Sequence, residues 1–208
     1  MCRLFYNLAD KKEYFMRKLL VVIFTVAFLQ HIVGQGVKET SGIVSMGKTP
    51  LTLLGNMVAI GDVAPNFTAT DNNSKPVSLS DFAGKTVIIS VFPSVDTKVC
   101  AMQTRRFNKE ASDLSKNVVI LTVSKDLPFA LGRFCAAEGI DRIYTLSDYM
   151  HSEFGYKYGF LLKENMLLAR GVVVVDPKGK VVYAEYVSDI GNEPDYNKAL
   201  TAAKNTLR

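Results

Sequence analysis

The residues best placed to do chemistry lie together in Pro93-Ser94-Val95-Asp96-Thr97-Lys98-Val99-Cys100. The segment follows the run Thr86–Phe92, rich in β-branched residues, which reads as a buried strand. It precedes an amphipathic stretch that begins at the cysteine. A strand, a proline turn and a helix in that order put Cys100 in the first helical turn. There the unpaired backbone N–H groups and the positive end of the helix dipole favour a thiolate. Thr97, three residues earlier, sits where its hydroxyl can reach the cysteine sulfur or an oxygen bound beside it. An ordinary cysteine is mostly protonated near neutrality, so this setting marks Cys100 as a reactive thiol.

Several elements must hold that junction in place. Ile43–Met46 and Leu51–Leu54, separated by Gly47-Lys48-Thr49-Pro50, predict an N-terminal hairpin. Short extended pieces at Phe67–Ala69 and Val77–Leu79 flank an Asp71-Asn72-Asn73 turn. The strand Thr86–Phe92 leads to a helix over Cys100–Leu114, with Phe107 and Ala111 on the face that carries the cysteine. Val118–Val123 is a second buried strand. Asp126 is the expected N-cap of a helix over Leu127–Glu138, with Pro128 tolerated in its first turn and Gly139 as its stop. A short strand at Ile143–Leu146 and a helical turn at Ser152–Tyr158 come next. Val172–Val175 and Val181–Val187 surround Asp176-Pro177-Lys178-Gly179, a hairpin signal, and Glu193–Leu207 closes the chain as a helix. The order β-α-β-α-β-β-α after a hairpin predicts an α/β thioredoxin-like fold, a central mixed β-sheet flanked by helices. No internal repeat or low-complexity tract interrupts it.

The spacing Pro-x3-Thr-x2-Cys resembles that of the peroxiredoxins, and more narrowly of the thiol peroxidases, the atypical two-cysteine type. The likeness continues through Gln103-Thr104-Arg105-Arg106-Phe107-Asn108, Ser124-Lys125-Asp126-Leu127-Pro128-Phe129-Ala130 and Arg133-Phe134-Cys135-Ala136-Ala137-Glu138-Gly139. Leu168-Ala169-Arg170 and Glu193-Pro194-Asp195-Tyr196 complete it, so that it covers the chain from about Gly42 onward. The resemblance implies a peroxidase that reduces hydrogen peroxide and organic hydroperoxides, uses no cofactor, is re-reduced by thioredoxin or a thioredoxin-like donor, and forms a homodimer. It implies Cys100 as the attacking thiol and Cys135 as the resolving one, the two joined in a disulfide during turnover. It places the active-site arginine at Arg170, where a guanidinium can stabilise a thiolate and donate to peroxide oxygens. Pro93 would shield the cysteine from water, and Thr97 would donate to the peroxide.

Each of these residues has a plainer alternative. Arg170 opens the Val172–Val175 strand and can be a surface charge there. Thr97 can be a helix cap alone, a role compatible with the catalytic one, and Pro93 shapes its turn whatever the chemistry. Cys135 shares a helical face with Leu127, Leu131 and Phe134, where a free cysteine is often an inert core filler. Lys98 reads as an exposed charge. His151, at a loop-to-helix junction, reads as a surface or capping residue rather than the partner of a catalytic cysteine.

Composition narrows the function classes. At 208 residues, 48% of them hydrophobic, the chain suffices for one well-packed domain. The net charge of +5 is concentrated at the start, where residues 1–34 carry five basic and two acidic side chains. The remainder carries +2, and no basic stripe interleaved with aromatics points to nucleic acid. Cys100 and Cys135, with 34 residues between them, fit no zinc spacing, and two histidines offer little help. Cys100 is followed by Ala101-Met102-Gln103, so no Cys-x-x-Cys exists to support a thiol–disulfide oxidoreductase. A non-enzymatic redox-sensing or binding module on the same fold remains the alternative to the peroxidase.

Leu19–Leu29, an 11-residue apolar run after Met16-Arg17-Lys18, has the length of a signal-peptide core rather than of a membrane span. The organisation expected is thus 1–34 as a signal peptide or anchor, 35–41 as a linker and 42–208 as the peroxidase domain. The leader implies export to the periplasm, with an uncleaved membrane anchor or a cytoplasmic protein as alternatives. Cleavage would fall near Gly34–Gly36, and Met16 is a second candidate start.

Overall fold

The computed structural model describes residues 36–207, so the expected leader lies outside the described residues. Ten strands, four α-helices and two short 3-10 helices follow through them. β1 (Glu39–Met46) and β2 (Thr49–Leu54) form the expected hairpin, antiparallel with Ser45 opposite Pro50. Residues 39–41, read from sequence as linker, already belong to β1. Their composition is polar because much of β1 is exposed, and backbone pairing with β2 rather than burial makes them a strand. β3 (Thr68–Asp71) and β4 (Pro76–Ser78) pair around the Asn72–Ser74 turn.

β5 (Thr86–Val91) is buried at all six positions and ends just before Pro93. α1 (Lys98–Glu110) carries Cys100, β6 (Val118–Ser124) runs parallel to β5, and α2 (Pro128–Glu138) carries Cys135. β7 (Tyr144–Ser147) and α3 (Glu153–Tyr158) come next, then β8 (Leu161–Leu162) and the hairpin of β9 (Gly171–Val175) and β10 (Val181–Tyr186). α4 (Tyr196–Asn205) is the last element. It starts three residues later than the sequence suggests, because the Asp195 carboxylate caps it by accepting from Lys198 N at 3.0 Å.

The main sheet has the order β10-β9-β5-β6-β7-β3-β4, with β5, β6 and β7 mutually parallel and the other pairs antiparallel. It is the mixed sheet flanked by helices that the sequence predicts. A second sheet of order β1-β2-β8 includes the two-residue β8, too short to show a sequence period.

Side chains alternate across a strand, and the core divides accordingly. Val87, Ile89 and Val91 of β5 join Phe154 and Tyr158 of α3, Leu51 and Leu53 of β2 and Val173 of β9 in the larger core. Ile88, Val172 and Val174 face the other way, onto Phe107 of α1 and Ala199, Leu200 and Ala203 of α4. α2 lies on this second face too, since Cys135 meets Thr145, the β7 residue paired with Thr122. Helices α1, α2 and α4 therefore cover one face and α3 the other. A third, small cluster of Phe92, Val95, Cys100 and Leu131, with Phe134 against it, fills the space between the α1 junction and α2.

Candidate active site

The cysteine-bearing junction owes its shape to Thr97. With extended backbone (φ −100°, ψ 143°) it is the N-cap of α1, and its hydroxyl oxygen accepts from Cys100 N at 3.4 Å. The helix therefore starts at Lys98 rather than at the cysteine, and Cys100 is its third residue. The same hydroxyl donates to Cys100 Sγ at 2.7 Å. Cys100 is completely buried, Pro93 at the start of its loop is buried too, and Lys98 is exposed.

Arg170 reaches this sulfur from the other end of the chain. It directly precedes β9, which pairs with β5 so that Val91 lies opposite Gly171. That register brings the residue before β9 to the end of β5 from which the cysteine loop departs. Gly171 is required there, because a Cβ would lie 2.0 Å from Glu185 O and 2.6 Å from the Phe160 ring. The Arg170 side chain is nearly fully buried, and every described bond of its guanidinium goes to a different partner. Nη2 donates to Cys100 Sγ at 3.2 Å, Nη1 to Gln103 Oε1 at 2.6 Å, and Nε to Ile190 O at 2.8 Å. Buried charge is costly unless it is met by good hydrogen bonds, and a sulfur at the focus of two donors gains most as an anion.

Gln103 is the member that sequence reasoning left out of the site. It sits one turn after Cys100, fully buried, donating Nε2 to Ser90 Oγ at 2.8 Å and to Val91 O at 3.3 Å. Those bonds lock the amide so that its oxygen faces Arg170. A polar residue three positions after the cysteine, on the apolar face of an amphipathic helix, was the available signal.

Cys135 is not among the partners of Cys100. Both are free thiols, and Cys135 Sγ lies 3.3 Å from Thr145 Oγ1. The two segments are linked through other groups, Asp126 above all. Sequence assigns Asp126 as the N-cap of α2, but that position falls to Leu127, which offers no side-chain cap. The Asp126 carboxylate turns instead to the cysteine loop, accepting from Ser94 Oγ at 2.6 Å, Val95 N at 2.8 Å and Ser124 Oγ at 2.8 Å. Three donors outweigh one helix N–H. His151 is exposed. Among the described residues no group of His, Cys, Asp and Glu is arranged to hold a metal ion.

A buried thiol held by an arginine and a threonine at a helix N-terminus has the donors that nucleophilic attack on an electrophilic oxygen needs. The redoxin family model matches residues 59–200, spanning every residue of this site. The thiol peroxidase of Oceanobacillus iheyensis is 52% identical over 76% of this chain and 96% of its own length. That of Bacillus subtilis is 54% identical over 74% and 92%. The chain belongs to the redoxin family, among the thiol peroxidases. It is a peroxiredoxin-type peroxidase. A peroxiredoxin-like protein from Aquifex aeolicus superposes with a TM-score of 0.75 at 30% identity, covering 80% of this chain and 98% of that one. A thiol peroxidase from Chromobacterium violaceum shares the fold at a TM-score of 0.70 and 21% identity, over 78% and 95%.

Proposed function

We propose that this peroxidase reduces hydrogen peroxide and organic hydroperoxides with Cys100 as its attacking thiolate and Cys135 as its resolving thiol. The observation that carries the reading is the convergence of Thr97 Oγ1 and Arg170 Nη2 on a sulfur in the first turn of α1. The thiolate attacks the terminal peroxide oxygen, the O–O bond breaks, and the departing alkoxide or hydroxide takes up a proton. Cys100 is left as a sulfenic acid. Cys135 then attacks that sulfur, releasing water and closing a Cys100–Cys135 disulfide. Thioredoxin or a thioredoxin-like donor returns two electrons and two protons to the pair.

In this scheme the donors serve twice. They stabilise the thiolate, and as the O–O bond stretches they can follow the charge onto oxygen. Pro93 closes the loop over the sulfur and limits water. Peroxide-driven turnover with a thioredoxin system tests the whole. Within it, Arg170→Ala should slow the peroxide step roughly 10²- to 10³-fold, the usual cost of removing a preorganised donor. It should also slow alkylation of Cys100, whose sulfur loses its cationic neighbour. Thr97→Val should slow the same step with a smaller change in alkylation rate. An Arg170→Ala protein with wild-type alkylation and peroxide rates would remove the arginine from the mechanism.

The apolar leader supports export, and the proposed protein acts outside the cytoplasm as a homodimer, with a dedicated reductant because that compartment is oxidising. Mature protein from the native host should then begin near Gln35 and fractionate with exported proteins. A soluble cytoplasmic form that starts at Met1 or Met16 contradicts export.

A further inference from the structure

Arg170 can act on Cys100 only while its guanidinium plane is fixed, and one of its three anchors comes from an unexpected quarter. Gln103 belongs to the cysteine helix itself. Ile190 O, which accepts from Nε at 2.8 Å, lies in the loop that follows β10. That loop forms no part of the main sheet. It is held by the N-terminal hairpin, through the edge of β1 that faces away from β2.

The grip is made of backbone bonds. Ser45 N donates to Ser188 O at 2.7 Å, and Ile190 N donates to Ser45 O at 2.9 Å, so that residues 188–190 run beside β1 as a short parallel bridge. The Ser45 hydroxyl adds a bond to Ser188 O at 3.0 Å. Asp189 completes the grip, its Oδ1 accepting from Gly47 N in the hairpin turn at 3.2 Å and from Gly191 N at 3.0 Å. Those two amides hold its carboxyl below the usual aspartate range. The sequence of β2 allows this use of Ser45. Its partner across the hairpin is Pro50, which has no N–H to donate, and the two form a pair whose backbone groups point away from each other, so both groups of Ser45 are available to the loop.

We propose that β1 is a positioning element for the active-site arginine: by gripping Ser188–Ile190 at Ser45, with the Asp189 carboxylate as the latch, it fixes the carbonyl that orients the Arg170 guanidinium towards Cys100. The inference rests on the role given to Arg170 above. It gives the hairpin, which lies outside the α/β sheet, a bearing on the rate of the peroxide step. Neither Ser45 nor Asp189 touches the reacting sulfur, and both act through the loop.

The latch can be opened without disturbing the core, because Asp189 is only half-buried and belongs to none of the hydrophobic clusters. In the full chain, Asp189→Ala should slow oxidation of Cys100 by peroxide about tenfold, as expected when one charge-assisted anchor is misaligned. Alkylation of Cys100, located by peptide mapping, should slow in parallel. The later step, disulfide formation from the sulfenic acid, should keep its wild-type rate. Asp189→Asn retains an acceptor oxygen and should restore most of the loss. In an Arg170→Ala background, Asp189→Ala should add nothing, since the two changes act on one group. Alkylation needs no peroxide, so this readout stands even if the wild-type protein reduced none, and the two failures are distinguishable. Wild-type alkylation and peroxide rates in Asp189→Ala overturn the proposal. So does an equal slowing of both chemical steps, which marks general loosening, or a full additive loss in the Arg170→Ala background.

Discussion

Cys100→Ser should abolish peroxide reduction while leaving the fold intact. A serine hydroxyl is only weakly acidic and a poor nucleophile without a general base, and none of the described bonds around position 100 supplies one. The neighbours are a guanidinium and a hydroxyl, both donating. Turnover should fall by at least ~10³-fold, the scale seen when a nucleophile is removed and only binding remains. The replacement is nearly isosteric, and an oxygen at that position still accepts from Thr97 and Arg170. Stability to denaturant should therefore stay within about 1 kcal/mol of wild type, the range of a conservative buried exchange. Rapid-mixing measurement of peroxide loss against protein concentration, beside circular dichroism, checks both halves. Substantial turnover by this variant would place the attacking thiol elsewhere.

The site was partly legible in sequence because its core is local. Thr97 and Cys100 are one helical turn apart, so the cap and the thiol follow from spacing, and the strand before them from β-branched composition. Arg170 was reached only through family resemblance. Nothing in residues 168–172 announces the contact, which depends on β9 pairing antiparallel with β5 at the Val91–Gly171 register. Gln103 lies within a motif that the sequence shares with the family, yet its place in the site is not legible there, because a buried amide on a helix face has no pattern of its own. Asp126 shows the opposite error. An aspartate before a proline-initiated helix is a sound capping signal, and tertiary donors from the Ser94–Val95 loop claimed it. The fold was legible wherever a strand is buried on both faces. It blurred at the polar start of β1 and at the two-residue β8.

The place Asp126 takes bears on how the protein moves. The carboxylate ties the cysteine loop to the entry of α2, and Leu131 packs with Phe92, Val95 and Cys100 in the small third cluster. In the reduced protein both cysteine segments are thus fastened to each other by groups other than the cysteines. The larger core contains none of these residues. The segments can therefore separate without disturbing the β-sheet packing below.

Oxidation with one equivalent of peroxide should yield an intramolecular Cys100–Cys135 disulfide, recovered as one linked peptide pair. Bond formation requires the sulfurs to approach to about 2 Å, whereas Cys100 Sγ now bonds Thr97 and Arg170 and Cys135 Sγ faces Thr145. One helix must give way, and α2 is the more weakly held. It has no side-chain N-cap, which forgoes roughly 1 kcal/mol. Gly132 in its interior costs about 1 kcal/mol relative to alanine, and Phe129 is 69% exposed. Amide exchange should be faster in α2 than in α1 in the reduced form, and faster still after oxidation. Gly132→Ala sharpens the test. A Cβ there meets only Asn72 O, at an ordinary 3.5 Å, so the variant should stabilise α2 and slow disulfide formation up to about fivefold, the rate equivalent of ~1 kcal/mol. The peroxide step should be unchanged. Cys135→Ser should consume one equivalent and then stall as a sulfenic acid open to further oxidation. If Cys135→Ser turns over normally with thioredoxin, or oxidised wild type gives no linked pair, Cys135 is a core side chain packed on Thr145. The enzyme then works with a single cysteine, and its disulfide forms with the reductant itself.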